Sequence, residues 1–189
     1  MDEIDSQLVE QAQSGDKRAL NRLFTLWYPR VYNLAFRYFA DPDQAAEICQ
    51  QTFLSIHKRL AQLRDPGSFK GWLFRTAINY CHEEGRTISR RARHQENLNN
   101  QPANGLAQSP HEQVLRSERA RIIMDALQKI PADQREVILM KEYEDLKFRE
   151  IAEILDVSVN TVKSRLYYGL NALRKLLTDC QLLNELYHE

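Results

Sequence analysis

The sequence lacks the motifs that most enzymes need. It has no Gly-rich phosphate loop, no HExxH pair and no CxxC pair. Cys81 and His82 are neighbours, but adjacent residues of a helix point about 100° apart and do not make a catalytic pair. Since no nucleophile or general base can be named, the sequence predicts a protein that is not an enzyme and that uses no cofactor.

Cysteine is scarce, and the three that occur, Cys49, Cys81 and Cys180, are far apart. An odd number of separated cysteines is typical of free thiols in a reducing compartment and not of a disulfide framework. A zinc site is the weaker alternative, and its ligands would be Cys49, Cys81, His82 and His94. Nothing in their spacing supports it, so a buried thiol and ordinary surface histidines are favoured and no metal is expected.

No excess of charge of one sign is present. The chain has 26 Lys and Arg against 26 Asp and Glu, so any contact with nucleic acid must come from local patches. Residues 1–5 are acidic where a secretory signal needs positive charge, and no apolar run approaches the roughly 20 residues of a membrane span. At 189 residues, 43% hydrophobic and 28% charged, the sequence predicts a cytoplasmic globular protein of one or two domains, without membrane insertion.

Residues 148–177 have the pattern of two helices joined by a tight turn. Apolar residues at helical spacing give each helix one buried face: Ile151, Ala152, Leu155, then Val162, Leu166, Leu170 and Leu173. Residues 156–158 form the turn, and Ser158 is a favourable N-cap for the second helix. The polar face of the second helix carries side chains that bond base edges or phosphates: Asn160, Thr161, Lys163, Ser164, Arg165, Tyr167 and Tyr168. This pattern favours a helix-turn-helix that presents its second helix to the major groove, over an αα-hairpin with a solvated polar face.

The first half of the chain is also helical by periodicity. Residues 6–39 form one or two helices, with a break or kink expected at Pro29. The Asp-Pro-Asp sequence at residues 41–43 predicts the start of a helix that runs to about Leu63. Residues 64–69 form a loop by composition.

A further helix, predicted from Phe69 to about Ser89, combines aromatic and basic side chains. Six such side chains and one amide, Asn79, fall within twelve residues: Phe69, Lys70, Trp72, Phe74, Arg75, Asn79 and Tyr80. Aromatic faces beside Arg and Lys hold single-stranded bases by stacking and by attraction to phosphates. The alternative is that Trp72 and Phe74 are simply core residues.

The composition changes abruptly at residues 94–112, where Asn, Gln, Pro and Gly dominate. Such a segment is typical of a flexible linker. Helical periodicity returns from Gln113, ends at Ile130-Pro131, and resumes over residues 133–143. No stretch alternates with period two for long enough to make a sheet. The sequence therefore predicts an all-α fold with two helical domains, residues 1–93 and 113–189, joined by the linker.

Taken in order along the chain, these segments resemble the extracytoplasmic-function (ECF, group IV) sigma factors of the bacterial sigma-70 family. The resemblance is carried in the first domain by YPRVYNLA at residues 28–35, DPDQA at 41–45, QQTFL at 50–54 and FKGWLFRTA at 69–77. In the second domain it is carried by IP at 130–131, REV at 135–137, EIAEIL at 150–155 and SVNTVKSRL at 158–166. Each motif alone is weak, whereas their order and spacing together are specific.

The resemblance implies a sigma-2-like domain at residues 1–93 and a sigma-4-like domain at residues 113–189. It implies that the first domain binds the clamp helices of the polymerase largest subunit through Asp43, Glu47, Gln50, Gln51, Phe53 and Leu54. It implies that the first domain also melts and reads the −10 element, at a surface formed by Arg64, Ser68, Phe69, Lys70, Trp72, Arg75 and Asn79. The second domain would contact the polymerase flap and read the −35 element through Ser158, Asn160, Thr161, Lys163, Ser164, Arg165, Tyr167 and Tyr168.

The resemblance further implies an anti-sigma factor as partner, a linker that passes near the polymerase active-site and RNA-exit channels, and association with the bacterial nucleoid when active. The chain departs from the family at Tyr168, where many relatives have Arg, and at Ala46 and Gln51, which make the clamp face less acidic.

Two other functions are left open by the sequence. One is a sigma mimic that titrates an anti-sigma factor and never engages DNA. Retained Trp72, Arg75, Lys163 and Arg165 argue against it. The other is a conventional helix-turn-helix transcription factor whose first domain dimerises. That function does not explain an aromatic and basic helix after a loop.

Overall fold

The computed structural model describes residues 3–96 and 118–179, and these residues form helices and turns with no strand among them. The helices are α1 Glu3–Gln13, α2 Lys17–Phe39, α3 Pro42–Arg59, α4 Phe69–Glu96, α5 Glu118–Lys129, α6 Ala132–Ile138, α7 Phe148–Leu155 and α8 Val159–Asp179. Short 3₁₀ turns cover Leu60–Gln62 and Pro66–Ser68, and a π turn covers Leu139–Tyr143. The predicted all-α fold is confirmed. We call α1–α4 the first lobe and α5–α8 the second lobe.

Local capping explains where the long helices of the first lobe begin. The Asp16 carboxylate accepts hydrogen bonds from the N–H groups of Arg18 (2.8 Å) and Ala19 (3.3 Å) at the start of α2. Asp41 does the same at the start of α3, from Asp43 (2.8 Å) and Gln44 (3.0 Å). Each cap satisfies amides that have no partner within the helix.

Of the predicted break or kink at Pro29, the break is wrong, because α2 continues through Pro29 without interruption. A proline inside a helix removes one backbone hydrogen bond. The apolar stripe of α2 continues on both sides of Pro29, with Leu23, Trp27, Val31 and Leu34 all buried. Burial of this stripe along one continuous helix outweighs the missing hydrogen bond.

The end of α4 also differs from the prediction. This helix continues past Ser89 to Glu96, and thus into residues 94–96 of the predicted linker. No glycine or proline lies between Gly85 and Pro102, so no residue type ends the helix earlier. The rest of the predicted linker, the predicted helical residues 113–117 and the tail from residue 180 lie outside the described residues.

A group of aromatic side chains forms the centre of the first lobe. The Trp27 ring meets the rings of Phe69 and Phe74 edge-on, with centroids 5.9 Å and 6.1 Å away. All three side chains are almost completely buried. This cluster joins α2 to the first two turns of α4, and it fixes the direction in which α4 leaves the preceding loop.

Gly169 allows α6 and α8 of the second lobe to approach closely. A Cβ atom at this position would lie 2.9 Å from Ile138 Cδ1 and 3.1 Å from Gln134 Cβ. We expect Gly169→Ala to lower the free energy of unfolding by about 1–3 kcal/mol through overpacking, measured by thermal denaturation.

Gly85→Ala in α4 is the matched control, since a Cβ there meets no atom within 4 Å. We expect it to stabilise the chain by about 0.4–1 kcal/mol. Equal stability of the two variants would contradict the close approach at Gly169.

The two lobes are in contact through a set of polar interactions between α2 or α4 and the second lobe. Arg30 Nε lies 2.8 Å from Glu144 Oε2, and Lys70 Nζ donates to the Glu144 carbonyl oxygen at 3.3 Å. The remaining pairs are Gln128 with the Arg37 carbonyl, Arg135 with the Tyr38 carbonyl, His82 with Glu136, and Arg75 with the Glu153 carbonyl. We call these the inter-lobe contacts.

Candidate nucleic-acid and polymerase interface

The turn between α7 and α8 has the predicted helix-turn-helix geometry. Asp156 ends α7 in the left-handed conformation (φ 54°), which Asp tolerates better than most residues. The Ser158 hydroxyl accepts a hydrogen bond from the Thr161 N–H at 3.0 Å and pairs with the Thr161 hydroxyl at 2.8 Å. These bonds satisfy the first turn of α8 and fix its direction relative to α7. They also occupy the Ser158 and Thr161 hydroxyls.

Most of the residues predicted to read the −35 element lie on the open face of α8. Asn160, Lys163 and Ser164 are exposed. Tyr167 and Tyr168 are 65% and 62% exposed, and their ring centroids are 5.6 Å apart. This face therefore presents amide, hydroxyl, ammonium and aromatic groups together, which suits contact with base edges and phosphates.

Arg165, the remaining residue of that predicted set, is placed differently. Its Nε atom lies 3.2 Å from Asp133 Oδ2, and its NH1 atom lies 3.4 Å from Glu136 Oε1. Both carboxylates belong to α6. The Arg165 guanidinium therefore ties α8 to α6 within the second lobe instead of projecting from the open face.

The residues predicted to read the −10 element fall into three groups. Arg64, Ser68, Arg75 and Asn79 are exposed, Lys70 and Trp72 are half-buried, and Phe69 has no exposed surface. The Asp65 carboxylate accepts hydrogen bonds from the Ser68 hydroxyl (2.6 Å) and the Gly67 N–H (2.9 Å), which order the loop before α4 and hold the pKa of Asp65 below its usual value. We assign Phe69 to the core and not to the base-contacting surface, because its ring packs between Trp27 and Trp72.

A crevice lies between this surface and the second lobe. Ser68, Lys70, Trp72 and Arg75 line one side of it, and Glu150, Glu153 and Ile154 of α7 line the other. In the arrangement described, α7 therefore lies over the predicted −10 surface.

The predicted polymerase-binding residues of α3 form an exposed polar face with one apolar side chain. Asp43, Glu47 and Gln50 are exposed, and Leu54 is 50% exposed. The Gln51 amide donates to the Glu47 carboxylate at 2.7 Å.

Phe53 differs from this set, because it is buried. Its ring lies 4.8 Å from the Phe24 ring and 5.9 Å from the Tyr28 ring, measured between centroids. Phe53 therefore packs α3 on α2 and supports the predicted polymerase face from below. Tyr28, which is half-exposed next to Phe53, is a neighbour that the sequence did not mark as part of this face.

Two buried carboxylates were not identified from the sequence. Glu136 faces His82 and Arg165, and Glu144 faces Arg30. Burial raises the pKa of Glu144, while the nearby charges of Arg30, Arg37 and Lys70 act in the opposite direction. Neither residue stands out by spacing, since the partners of each carboxylate come from other helices: Arg30 of the first lobe for Glu144, and Arg165 of α8 together with His82 of the first lobe for Glu136.

Cys49 and Cys81 are free and buried. Burial raises the pKa of Cys49 to about 12 and that of Cys81 further, so neither thiol has the thiolate character that redox sensors need. Within the part of the chain that the structure describes, no group of His, Cys, Asp and Glu could hold a metal ion. Among the same residues, no helix has the length and apolar character required to cross a membrane.

Comparison with known proteins gives two family matches, Sigma-70 region 2 over residues 23–92 and Sigma-70, region 4 over residues 120–173. The RNA polymerase sigma-H factor of Pseudomonas aeruginosa is 30% identical over 182 residues, which cover 93% of this chain and 94% of the relative. The ECF RNA polymerase sigma-E factor of Haemophilus influenzae is 31% identical over 170 residues, which cover 86% and 89% of the two chains.

Solved structures of other proteins share the fold, and these two are among them. CnrH, in complex with the cytosolic domain of CnrY, superposes with a TM-score of 0.70 at 22% identity, covering 94% of this chain and 99% of CnrH. The sigma factor RpoE, in complex with the anti-sigma factor NepR from Bartonella quintana, superposes with a TM-score of 0.68 at 23% identity. The match covers 84% of this chain and 96% of RpoE. The two family matches and the relatives from Pseudomonas aeruginosa and Haemophilus influenzae, together with the helix-turn-helix geometry, show that the chain belongs to the ECF group of the sigma-70 family and is a promoter-recognising sigma factor.

Proposed function

We propose that the chain binds core RNA polymerase through the exposed face of α3, captures the −10 element with the start of α4, and reads the −35 element with α8. The observation that carries this proposal is α8 itself: a helix fixed by the Ser158 cap whose outer face exposes polar, basic and aromatic side chains. Such a helix fits the major groove of B-DNA. The protein acts in the bacterial cytoplasm and is associated with the nucleoid when active.

Transcription in vitro with core polymerase tests the proposal directly. We expect specific initiation from a promoter with matched −35 and −10 elements only when the chain is added. A sigma mimic would bind an anti-sigma factor and give no transcript. A conventional transcription factor would bind DNA without core polymerase and would not replace a sigma factor.

Lys163 should contribute to −35 binding mainly through a phosphate contact. Its side chain is exposed, its Nζ atom lies 5.9 Å from the centre of the Phe148 ring, and no carboxylate among the described residues forms an ion pair with it. We expect Lys163→Ala to weaken binding to all −35 sequences alike and to reduce the slope of log affinity against log salt by about 1. Binding is measured by fluorescence anisotropy of the holoenzyme at several salt concentrations.

Lys175→Ala is the matched control for this experiment, since Lys175 is an exposed lysine near the other end of α8. We expect it to change neither the affinity nor the salt slope. If the two variants had the same affinity and the same salt slope, the first turns of α8 would not be the part of the helix that enters the groove.

Glu47 should contribute to binding core polymerase, because its carboxylate is exposed on the face of α3 that the family uses for the clamp. We expect Glu47→Lys to lower affinity for core by roughly tenfold, since truncating or reversing a charge in such an interface costs about 1–2 kcal/mol or more. Competition with a labelled wild-type chain for core measures this. The control is Glu10→Lys, which makes the same reversal of charge at an exposed residue of α1. Equal affinities of the two variants for core polymerase would place the polymerase surface elsewhere.

The proposal includes an anti-sigma partner that holds the two lobes in contact. Both structural neighbours were solved in complexes, one of them with an anti-sigma factor by its printed description. A second crevice between the lobes, separate from the one beside Trp72, is lined by apolar Phe39, Ile88 and Leu155 and by basic Arg86 and Arg90, so it offers both kinds of contact to a partner. Co-purification from the native cell with crosslinking tests this, and recovery of the protein only free or on polymerase would contradict it.

A further inference from the structure

The structure limits which cation of α8 can read a base. Arg165 contacts two carboxylates of α6, and one of these, Glu136, is only 2% exposed. Moving Arg165 to a base would leave the Glu136 carboxylate buried with one cationic partner fewer, and removing a partner from a buried carboxylate is strongly destabilising. The guanidinium is therefore not available for the bidentate contact with guanine that arginine makes best.

The side chains that remain on the outer face of α8 near its start are mostly uncharged. Asn160, Ser164 and Tyr167 follow one another at intervals of four and three residues and share one face, and Tyr168 follows Ser164 by four. Tyr167 and Tyr168 are the two most exposed large apolar side chains among the described residues. Their exposure leaves both rings able to contact a groove floor.

We infer that this face reads the −35 element through uncharged side chains, and that its preferred sequence has A·T pairs at the positions facing Tyr167 and Tyr168. The inference rests on the proposed function of α8. An aromatic ring makes an apolar contact with the thymine methyl group, and neither tyrosine offers the paired donors that match guanine O6 and N7. Asn160 can pair in bidentate fashion with adenine, which favours A·T at its own position as well. Arg165 is a positioning residue that sets the angle of α8 on α6.

The experiment uses the full chain bound to core polymerase and a pool of promoter duplexes randomised across the −35 element, with sequencing of the bound fraction. We expect the wild-type holoenzyme to enrich A·T pairs at neighbouring positions of the element. We expect Tyr168→Ala to reduce discrimination at one of these positions by about 5-fold or more, and Tyr168→Arg to shift that position toward G·C. Tyr143→Ala, which removes a half-exposed tyrosine of the second lobe outside α8, should change no position.

Variants of Arg165 separate positioning from base reading. We expect Arg165→Ala to weaken binding to all duplexes alike and to lower the melting temperature of the chain. We expect Arg165→Lys to have a higher affinity for the duplexes and a higher melting temperature than Arg165→Ala, without reaching the wild-type values. Loss of preference at a single position with an unchanged melting temperature would overturn the inference. It would also be overturned by wild-type enrichment of G·C at the tyrosine-dependent position, or by tyrosine variants that keep the full preference. A wild-type holoenzyme with no −35 preference at all would instead contradict the proposed function of α8.

Discussion

Replacement of Phe69 by alanine is expected to lower the free energy of unfolding by about 3–5 kcal/mol, the usual range for removing a fully buried aromatic side chain. Its ring is 0% exposed and meets Trp27 edge-on at a centroid distance of 5.9 Å. Truncation would leave a cavity where α4 begins and remove the contact that fixes α4 on α2. Chemical denaturation followed by circular dichroism measures the change.

Trp72→Ala is the informative comparison, because Trp72 lies in the same turn of α4 but is only half-buried. It packs against Phe69 and also lines the crevice beside Lys70 and Arg75. We expect it to lower stability less than Phe69→Ala and to reduce open-complex formation on duplex promoters more strongly, as permanganate footprinting of the holoenzyme would detect. If the Phe69 variant were as stable as wild type and defective only in melting DNA, Phe69 would belong to the base-contacting surface and not to the core.

Reversal of charge at Glu144 is expected to separate the two lobes. The Glu144 carboxylate is buried and lies 2.8 Å from Arg30 Nε, with Arg37 and Lys70 also close enough to influence its pKa. In Glu144→Lys a buried ammonium would face these three cations. Loss of one partner from a buried pair costs about 3–5 kcal/mol, so the equilibrium between lobes in contact and lobes apart should shift by roughly two to three orders of magnitude or more. Small-angle X-ray scattering of the free full-length chain would show a larger radius of gyration.

Glu142→Lys provides the control, since it makes the same change of charge on an exposed residue of the π turn that Glu144 follows. We expect it to leave the radius of gyration unchanged. Both variants should keep the helical content of wild type by circular dichroism. If Glu144→Lys kept the compact dimensions as well, the Arg30–Glu144 pair would not be what holds the lobes in contact.

The sequence predicted the fold well where the determinants are local. The caps at Asp41 and Ser158 act within three residues of themselves, so a short pattern specifies them completely. The same holds for the turn at Asp156. Pro29 shows the limit of local reasoning, since its local preference for a break is overridden by packing on both sides of it. The length of α4 was underestimated because its last turns lack an apolar stripe, which is the signal that periodicity detects.

Which residues of the candidate site face outward could also be predicted wherever the determinants are local. Residues such as Asn160 and Tyr167 face outward because the buried face of α8 is defined by the apolar residues of that helix alone. Arg165 could not be placed in this way, since its partner carboxylates come from another helix. Phe69 was assigned to the −10 surface, because its contact with Trp27 of α2 cannot be read from the sequence of α4 alone.

The inter-lobe contacts use the same cationic groups that nucleic acid would need. Lys70 donates to the Glu144 carbonyl and Arg75 donates to the Glu153 carbonyl, so a strand that engages Lys70 and Arg75 competes with the second lobe. Competition of this kind is reciprocal: each ligand weakens the other by the same factor. On the proposed function, the affinity of a −10 strand for the free chain would fall in proportion to the fraction of molecules whose lobes are in contact. Any binding event that draws α7 away, at either end of the promoter or on the polymerase, would then raise the affinity for that strand without touching it.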